Sequence, residues 1–87
     1  MARALVPVAD GTEEMEAVII IDTLRRATWE VVSVGLTSRT ITASRGVKLV
    51  ADAEWPEIVA ASFDLLILPG GREGARLMCT DPRIKTL

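Results

Sequence analysis

The sequence predicts an α/β fold built on an incomplete parallel sheet, and three observations carry the prediction. Short apolar runs alternate with helix-length segments in the order strand, helix, strand, hairpin, helix, strand, helix. One run, Phe63-Asp64-Leu65-Leu66-Ile67-Leu68, is almost continuously apolar, as strands buried within parallel sheets are. The segment from Glu13 to Ala27 carries acids at its start and Arg25 and Arg26 at its end, the charge order that suits a helix dipole.

In chain order, Ala4-Leu5-Val6-Pro7-Val8 reads as the first strand, although Pro7 has no N–H for a ladder. Asp10-Gly11-Thr12 punctuates the chain. Asp10 and Glu13 have capping-box spacing, and Thr12 is a rival N-cap. In the helix that follows, the run Val18-Ile19-Ile20-Ile21 imitates a strand, but length and the charged ends decide for helix. At about 100° per residue, Ala17, Ile20, Ile21 and Leu24 form one stripe for the sheet. Met15, Val18 and Ile19 form a second, interleaved with Asp22 and Arg26. Two apolar faces call for a second packing partner, such as another subunit.

Trp29 to Leu36 reads as the next strand. Thr40 to Ala43 and Val47 to Val50 pair as a hairpin around Ser44-Arg45-Gly46. Asp52 to Ala60 predicts a short helix with Pro56 in its first turn. After the Phe63 to Leu68 strand, Pro69-Gly70-Gly71 leads into a short helix from Glu73 to Cys79. Thr80-Asp81-Pro82 then reads as a fresh helix start with Pro at its first position. At most three core strands, and an end inside a helix start, predict the front portion of a larger domain.

Composition narrows the function. Ten Lys and Arg against twelve Asp and Glu, a net charge of −2 with no basic stripe, argue against nucleic-acid binding. One Cys and no His exclude an internal disulfide and any Ser-His-Asp or Cys-His site made within these residues, and argue against zinc or iron. Glu13, Glu14 and Glu16 diverge around a helix axis and make a poor cation site. The stretch from Gly70 to Gly74 is neither a P-loop nor a dinucleotide fingerprint, so no metal and no cofactor is expected. No apolar run is long enough for a signal peptide or a membrane span, so a soluble, cytoplasmic protein without membrane contact is expected.

The chemistry-bearing residues are few. Glu16 reads either as a protonated acid beside a thiolate, its pKa raised by burial, or as a solvated first-turn Glu. Gly70 and Gly71 read either as amide donors to an oxyanion or as a small-residue turn after a buried strand. Their place at a strand end, where open α/β sheets bind ligands, leans to function. Cys79 reads as a small structural residue. Trp29 and Trp55 read as partly buried anchors.

Several segments together resemble the ThiJ/PfpI superfamily, in the branch of the parkinsonism-associated deglycase and its bacterial relatives. They are Arg3 to Val6, Asp10-Gly11-Thr12-Glu13-Glu14-Met15-Glu16, Asp22 to Ala27, Ser44-Arg45-Gly46-Val47-Lys48-Leu49, and Phe63 to Gly71. The match keeps its order over nearly all 87 residues. The resemblance implies a flavodoxin-like α/β sandwich of the class I glutamine amidotransferase-like kind, usually a homodimer. It implies an active-site Cys on a strand-to-helix elbow, contacted by a Glu of the first helix and flanked by amides after Leu-Pro-Gly-Gly. By motif position Glu16 is that Glu, and Gly70 and Gly71 are the amides. Arg45 resembles an Arg near the dimer interface and pocket rim, and Glu14 and Arg26 are candidates for the same interface or rim.

The elbow and its His would fall beyond Leu87, and Cys79 does not match the elbow. Residues 1–87 are therefore expected to be the N-terminal part of a single domain, inactive by itself. Thr28 departs from the Gly that related chains commonly carry there, which should cost stability or alter the helix end. The function implied is a cysteine-dependent deglycase or glyoxalase-like enzyme acting on reactive carbonyl adducts of the methylglyoxal type. Its partner would be a small reactive carbonyl compound or a glycated protein. The alternatives are a non-catalytic chaperone-like or interaction module and a PfpI-type cysteine peptidase. The Glu13-Glu14-Met15-Glu16 helix start argues against the related class I amidotransferases.

Overall fold

In the computed structural model, which describes residues 2–58 and 62–85, the sheet has four parallel strands. They are β1 (Arg3–Val8), β2 (Glu30–Gly35), β5 (Ala53–Glu54) and β6 (Leu65–Leu66), in the spatial order β5-β2-β1-β6. Strands β3 (Thr40–Thr42) and β4 (Lys48–Val50) form the expected antiparallel hairpin, with Ile41 opposite Leu49. Helix α1 (Glu14–Arg26) joins β1 to β2. Helices α2 (Arg72–Thr80) and α3 (Pro82–Lys85) follow β6, with Pro82 opening α3 as expected.

Helix α1 uses the stripe assigned to the sheet. Ala17 is buried against Val8, Ile41, Ala43 and Ala51, while Ile20, Ile21 and Leu24 pack on Ala4, Val6 and Val31. Successive strand residues face opposite sides, and a separate cluster of Ala9, Leu36, Met78 and Ile84 joins α2 and α3 to the strand ends. The second α1 stripe stays open, with Met15 67%, Val18 53% and Ile19 56% exposed.

Three expectations need correction. The N-cap of α1 is neither Asp10 nor Thr12 but Glu13, whose carboxylate accepts the Met15 and Glu16 N–H groups at 2.9 and 3.3 Å. Asp10 instead accepts the Thr42 N–H at 2.9 Å, and the buried Thr12 hydroxyl accepts the Ala9 N–H at 2.9 Å. Both oxygens are thus held by the strand and hairpin that flank the helix.

The helix predicted over Asp52 to Ala60 is not formed; residues 59–61 lie outside the described residues. Asp52 accepts the Ser33 N–H and returns its own N–H to the Ser33 hydroxyl, both at 2.9 Å. This reciprocal pairing lays the chain along β2 as a fourth strand, where three had been expected. One 3-10 turn, Trp55–Glu57, follows and takes in Pro56.

The strand expected over Phe63 to Leu68 pairs only at Leu65 and Leu66. Arg3 and Leu5 accept the Asp64 and Ile67 N–H groups, so odd residues of β1 face β6. Pro7 faces the same way and has no N–H to donate, so the ladder stops there. Leu65 and Leu68 stay 38% and 40% exposed.

The end of α1 explains Thr28. The Thr28 N–H donates to Arg25 O and the Trp29 N–H to Leu24 O, both at 3.0 Å, which is a Schellman closure. That closure requires a left-handed residue, and Thr28 has φ +67°. A β-branched residue is strained there, so Thr28→Gly is expected to raise stability by about 1 kcal/mol. Urea unfolding of the variant checks this, and an unmoved midpoint would refute the strain.

Candidate functional site

The strand order places a site by topology alone. From β1 the chain runs outward to β2 and β5 on one side, and then crosses back to add β6 on the other side of β1. The carboxyl ends of β1 and β6 therefore flank a crevice of the kind where open α/β sheets bind ligands. Two loops meet there, Ala9–Glu13 after β1 and Ile67–Gly71 after β6.

The loops touch backbone to backbone because three glycines permit it. The Glu13 N–H donates to Gly70 O at 2.8 Å. A Cβ on Gly71, which has φ +105°, would lie 2.4 Å from Gly11 O and 2.5 Å from Glu13 N. A Cβ on Gly74 would lie 2.6 Å from Thr12 N. The start of α2 is thereby seated against the start of α1.

This seating brings Glu16 to Gly70. The Gly70 N–H donates to Glu16 Oε1 at 3.2 Å, across 54 residues of sequence. The Glu16 side chain is exposed, so the burial expected of it is not present. With the Gly70 amide engaged, the Gly71 N–H is the member of the pair that has no acceptor among the described residues. Beside it lies a cavity of about 380 Å³ lined by Gly11, Glu13, Ser44, Arg45, Gly71, Arg72 and Glu73.

Glu14 is the surprise of the helix start. It is buried and ties α1 to the hairpin turn, accepting the Ser44 hydroxyl at 2.7 Å and the Arg45 N–H at 2.9 Å. Hydrogen bonds from its own backbone and from Ser44, with smaller ones from Arg45 and Val47, outweigh desolvation and hold its pKa at about 2. A carboxylate depressed from 4.5 to about 2 adds stability that is complete above about 4.5. That stability is lost as pH falls through about 2. The hairpin turn is therefore expected to loosen between these values. Protection of the Ser44 and Arg45 amides against exchange, relative to their intrinsic rates, should fall as pH is lowered across that window in the natural chain and lose this dependence in Glu14→Gln.

Of the residues singled out in the sequence, the structure gathers Glu16, Gly70, Gly71 and Arg45 at one end of the sheet, with Glu14 beneath Arg45. Arg26 is not with them. It lies ten residues beyond Glu16, about 15 Å along the helix, exposed and paired with Asp22 at 3.1 Å. Cys79 is exposed near the far end of α2 and does not line the cavity. Two residues were missed, Arg72 and Glu73. The Gly-Gly pair that ends the β6 loop was the available signal, since the residues after such a turn open a helix facing the crevice. No group of three or more His, Cys, Asp or Glu among the described residues could hold a metal ion. No helix among them is long and apolar enough to cross a membrane.

Comparison with known proteins agrees with this architecture. A sequence model of the DJ-1/PfpI family matches residues 2–87. Protein DJ-1 homolog B of Arabidopsis thaliana is 51% identical over 83 residues, which is 94% of this chain and 19% of that protein. Glutathione-independent glyoxalase DJR-1.2 of Caenorhabditis elegans is 30% identical over 70 residues, 80% of this chain and 37% of that protein. The structure of oxidized Toxoplasma gondii DJ-1 superposes with a TM-score of 0.92 at 38% identity, covering 99% of this chain and 47% of that one. The chain spans less than half the length of each of these relatives, and its α/β architecture is flavodoxin-like.

Proposed function

The chain belongs to the DJ-1/PfpI family, and on that premise we propose that it supplies the acid and the oxyanion donor of a cysteine-dependent site acting on reactive carbonyl compounds. The observation that carries the reading is the Glu16 to Gly70 contact at the topological switch point. It sets a carboxyl group one residue from the Gly71 N–H, which has no acceptor among the described residues. The family resemblance puts the thiol on a strand beyond residue 87. In the proposed step the thiolate attacks an aldehyde carbon, a carbon–sulfur bond forms, and the carbonyl electron pair moves onto oxygen. The Gly71 N–H stabilises that oxyanion, and Glu16 passes it the proton that it took from the thiol, which leaves a neutral hemithioacetal. The glyoxalase name of the Caenorhabditis elegans relative supports a 2-oxoaldehyde as substrate. We assign the exposed Met15, Val18 and Ile19 stripe, with Arg26 at its far end, to a second copy of the chain.

The test is turnover. The complete protein is expected to consume methylglyoxal without added glutathione and to stop once its thiols are alkylated. Consumption that survives alkylation would overturn the cysteine-dependent reading.

A further inference from the structure

The cavity beside Gly71 has a charge pattern that a neutral substrate does not need. Four charged residues line it, two acids and two bases. Both acids are already served. Glu13 caps α1 through both oxygens. Glu73 pairs with Arg76, whose hydrogen bond holds the Glu73 carboxyl below the usual range, with a smaller contribution from the charge of Arg72. Neither base is so served. The guanidinium groups of Arg45 and Arg72 have no hydrogen-bond or ion-pair acceptor among the described residues.

Both arginines stand on backbone that is held in place. Glu14 fastens the turn that carries Arg45. Arg72 follows Gly71, whose carbonyl begins the α2 ladder and whose Cα sits against the Gly11 to Glu13 backbone. Planar guanidinium groups suit a carboxylate, which they bind through paired hydrogen bonds.

We propose that Arg72, together with Arg45, makes this cavity select carbonyl compounds that carry their own carboxylate, the 2-oxo acids and their aldehydes, over neutral dicarbonyls. This rests on the carbonyl-processing reading above. Arg72 is then a specificity-determining residue. It follows Gly71 directly and lines the same cavity.

The experiment is a titration of the complete, isotope-labelled protein with pyruvate and with pyruvamide, which has a neutral carboxamide in place of the carboxylate. Pyruvate is expected to shift the Arg45, Gly71 and Arg72 amides, and pyruvamide to bind them more weakly. Arg72→Ala should weaken pyruvate about tenfold, the worth of one charge-assisted hydrogen bond. Arg45→Ala should act in the same direction. Arg72 is exposed, so an otherwise unchanged amide spectrum certifies the fold of the variant. Equal binding of the two ligands, or pyruvate binding unchanged in Arg72→Ala, would overturn the proposal. A protein that binds pyruvate through Arg72 but leaves methylglyoxal untouched would keep the proposal and overturn the reaction instead.

Discussion

Glu16→Ala is expected to lower methylglyoxal turnover by the complete protein about 10²- to 10⁴-fold, the usual worth of a positioned proton carrier. The same substitution should leave stability within about 0.5 kcal/mol, as exposed positions usually do. The asymmetry follows from the geometry. Glu16 is exposed, and among the described residues its carboxylate accepts one hydrogen bond, from the Gly70 N–H at 3.2 Å. It belongs to none of the hydrophobic core clusters. Glu16→Gln separates shape from proton transfer, since glutamine keeps an acceptor for the Gly70 N–H but cannot carry the proton. Steady-state rates of the two variants, set beside their urea midpoints, check the assignment. If Glu16→Gln retained full turnover, the proton would have to travel by another route and Glu16 would be a spacer.

Gly71→Ala is expected to destabilise the fold strongly, by about 3–5 kcal/mol. Two penalties coincide. The residue has φ +105°, where an L side chain is strained, and its Cβ would press on Gly11 O and Glu13 N. Both are backbone atoms of the α1 entry and cannot swing aside. Gly46→Ala isolates the first penalty, because Gly46 has φ +85° with nothing within 4 Å of a Cβ. It should cost about 1 kcal/mol. Gly70→Ala isolates a different effect. The atoms nearest its Cβ would be those of the Glu16 carboxylate, at 2.6 Å, and a flexible side-chain end can move. Turnover should suffer there more than stability. Denaturant midpoints for the three variants check the ranking, and a Gly71→Ala no worse than Gly46→Ala would mean the two loops are not rigidly seated.

Local features of the fold were legible where the signal is short-range. Helix α1 shows in its charged ends and its sheet-facing stripe, and the hairpin shows in two β-rich runs around Ser44-Arg45-Gly46. The misplaced elements are those decided by a partner far along the chain. The chain after Asp52 joins the sheet as β5 because Ser33, 19 residues away, exchanges hydrogen bonds with Asp52. Strand β6 is cut short by Pro7, whose missing N–H matters only once β6 lies beside it. The site divides in the same way. Glu16, Gly70 and Gly71 were named through a family resemblance, since nothing in their spacing puts residues 54 apart in contact. Glu14 looks like any first-turn acid until the hairpin covers it, and Arg72 acquires meaning only beside Arg45.

The seating of α2 against the α1 entry also bears on when the site comes into being. β1, α1 and β2 are contiguous and can condense as a local unit, whereas bringing Gly70–Gly74 back to Gly11–Glu13 closes a loop of about 60 residues, and such non-local contacts form slowly. Two successive glycines lose more backbone freedom than any other pair when they are fixed. The closing contacts therefore belong to the last and least protected cooperative step, and the same segment is the first to detach when the native state opens locally. Glu16 and Gly70 then meet only in chains that have finished folding, so a partly opened molecule loses this contact while its β1-α1-β2 unit is still intact.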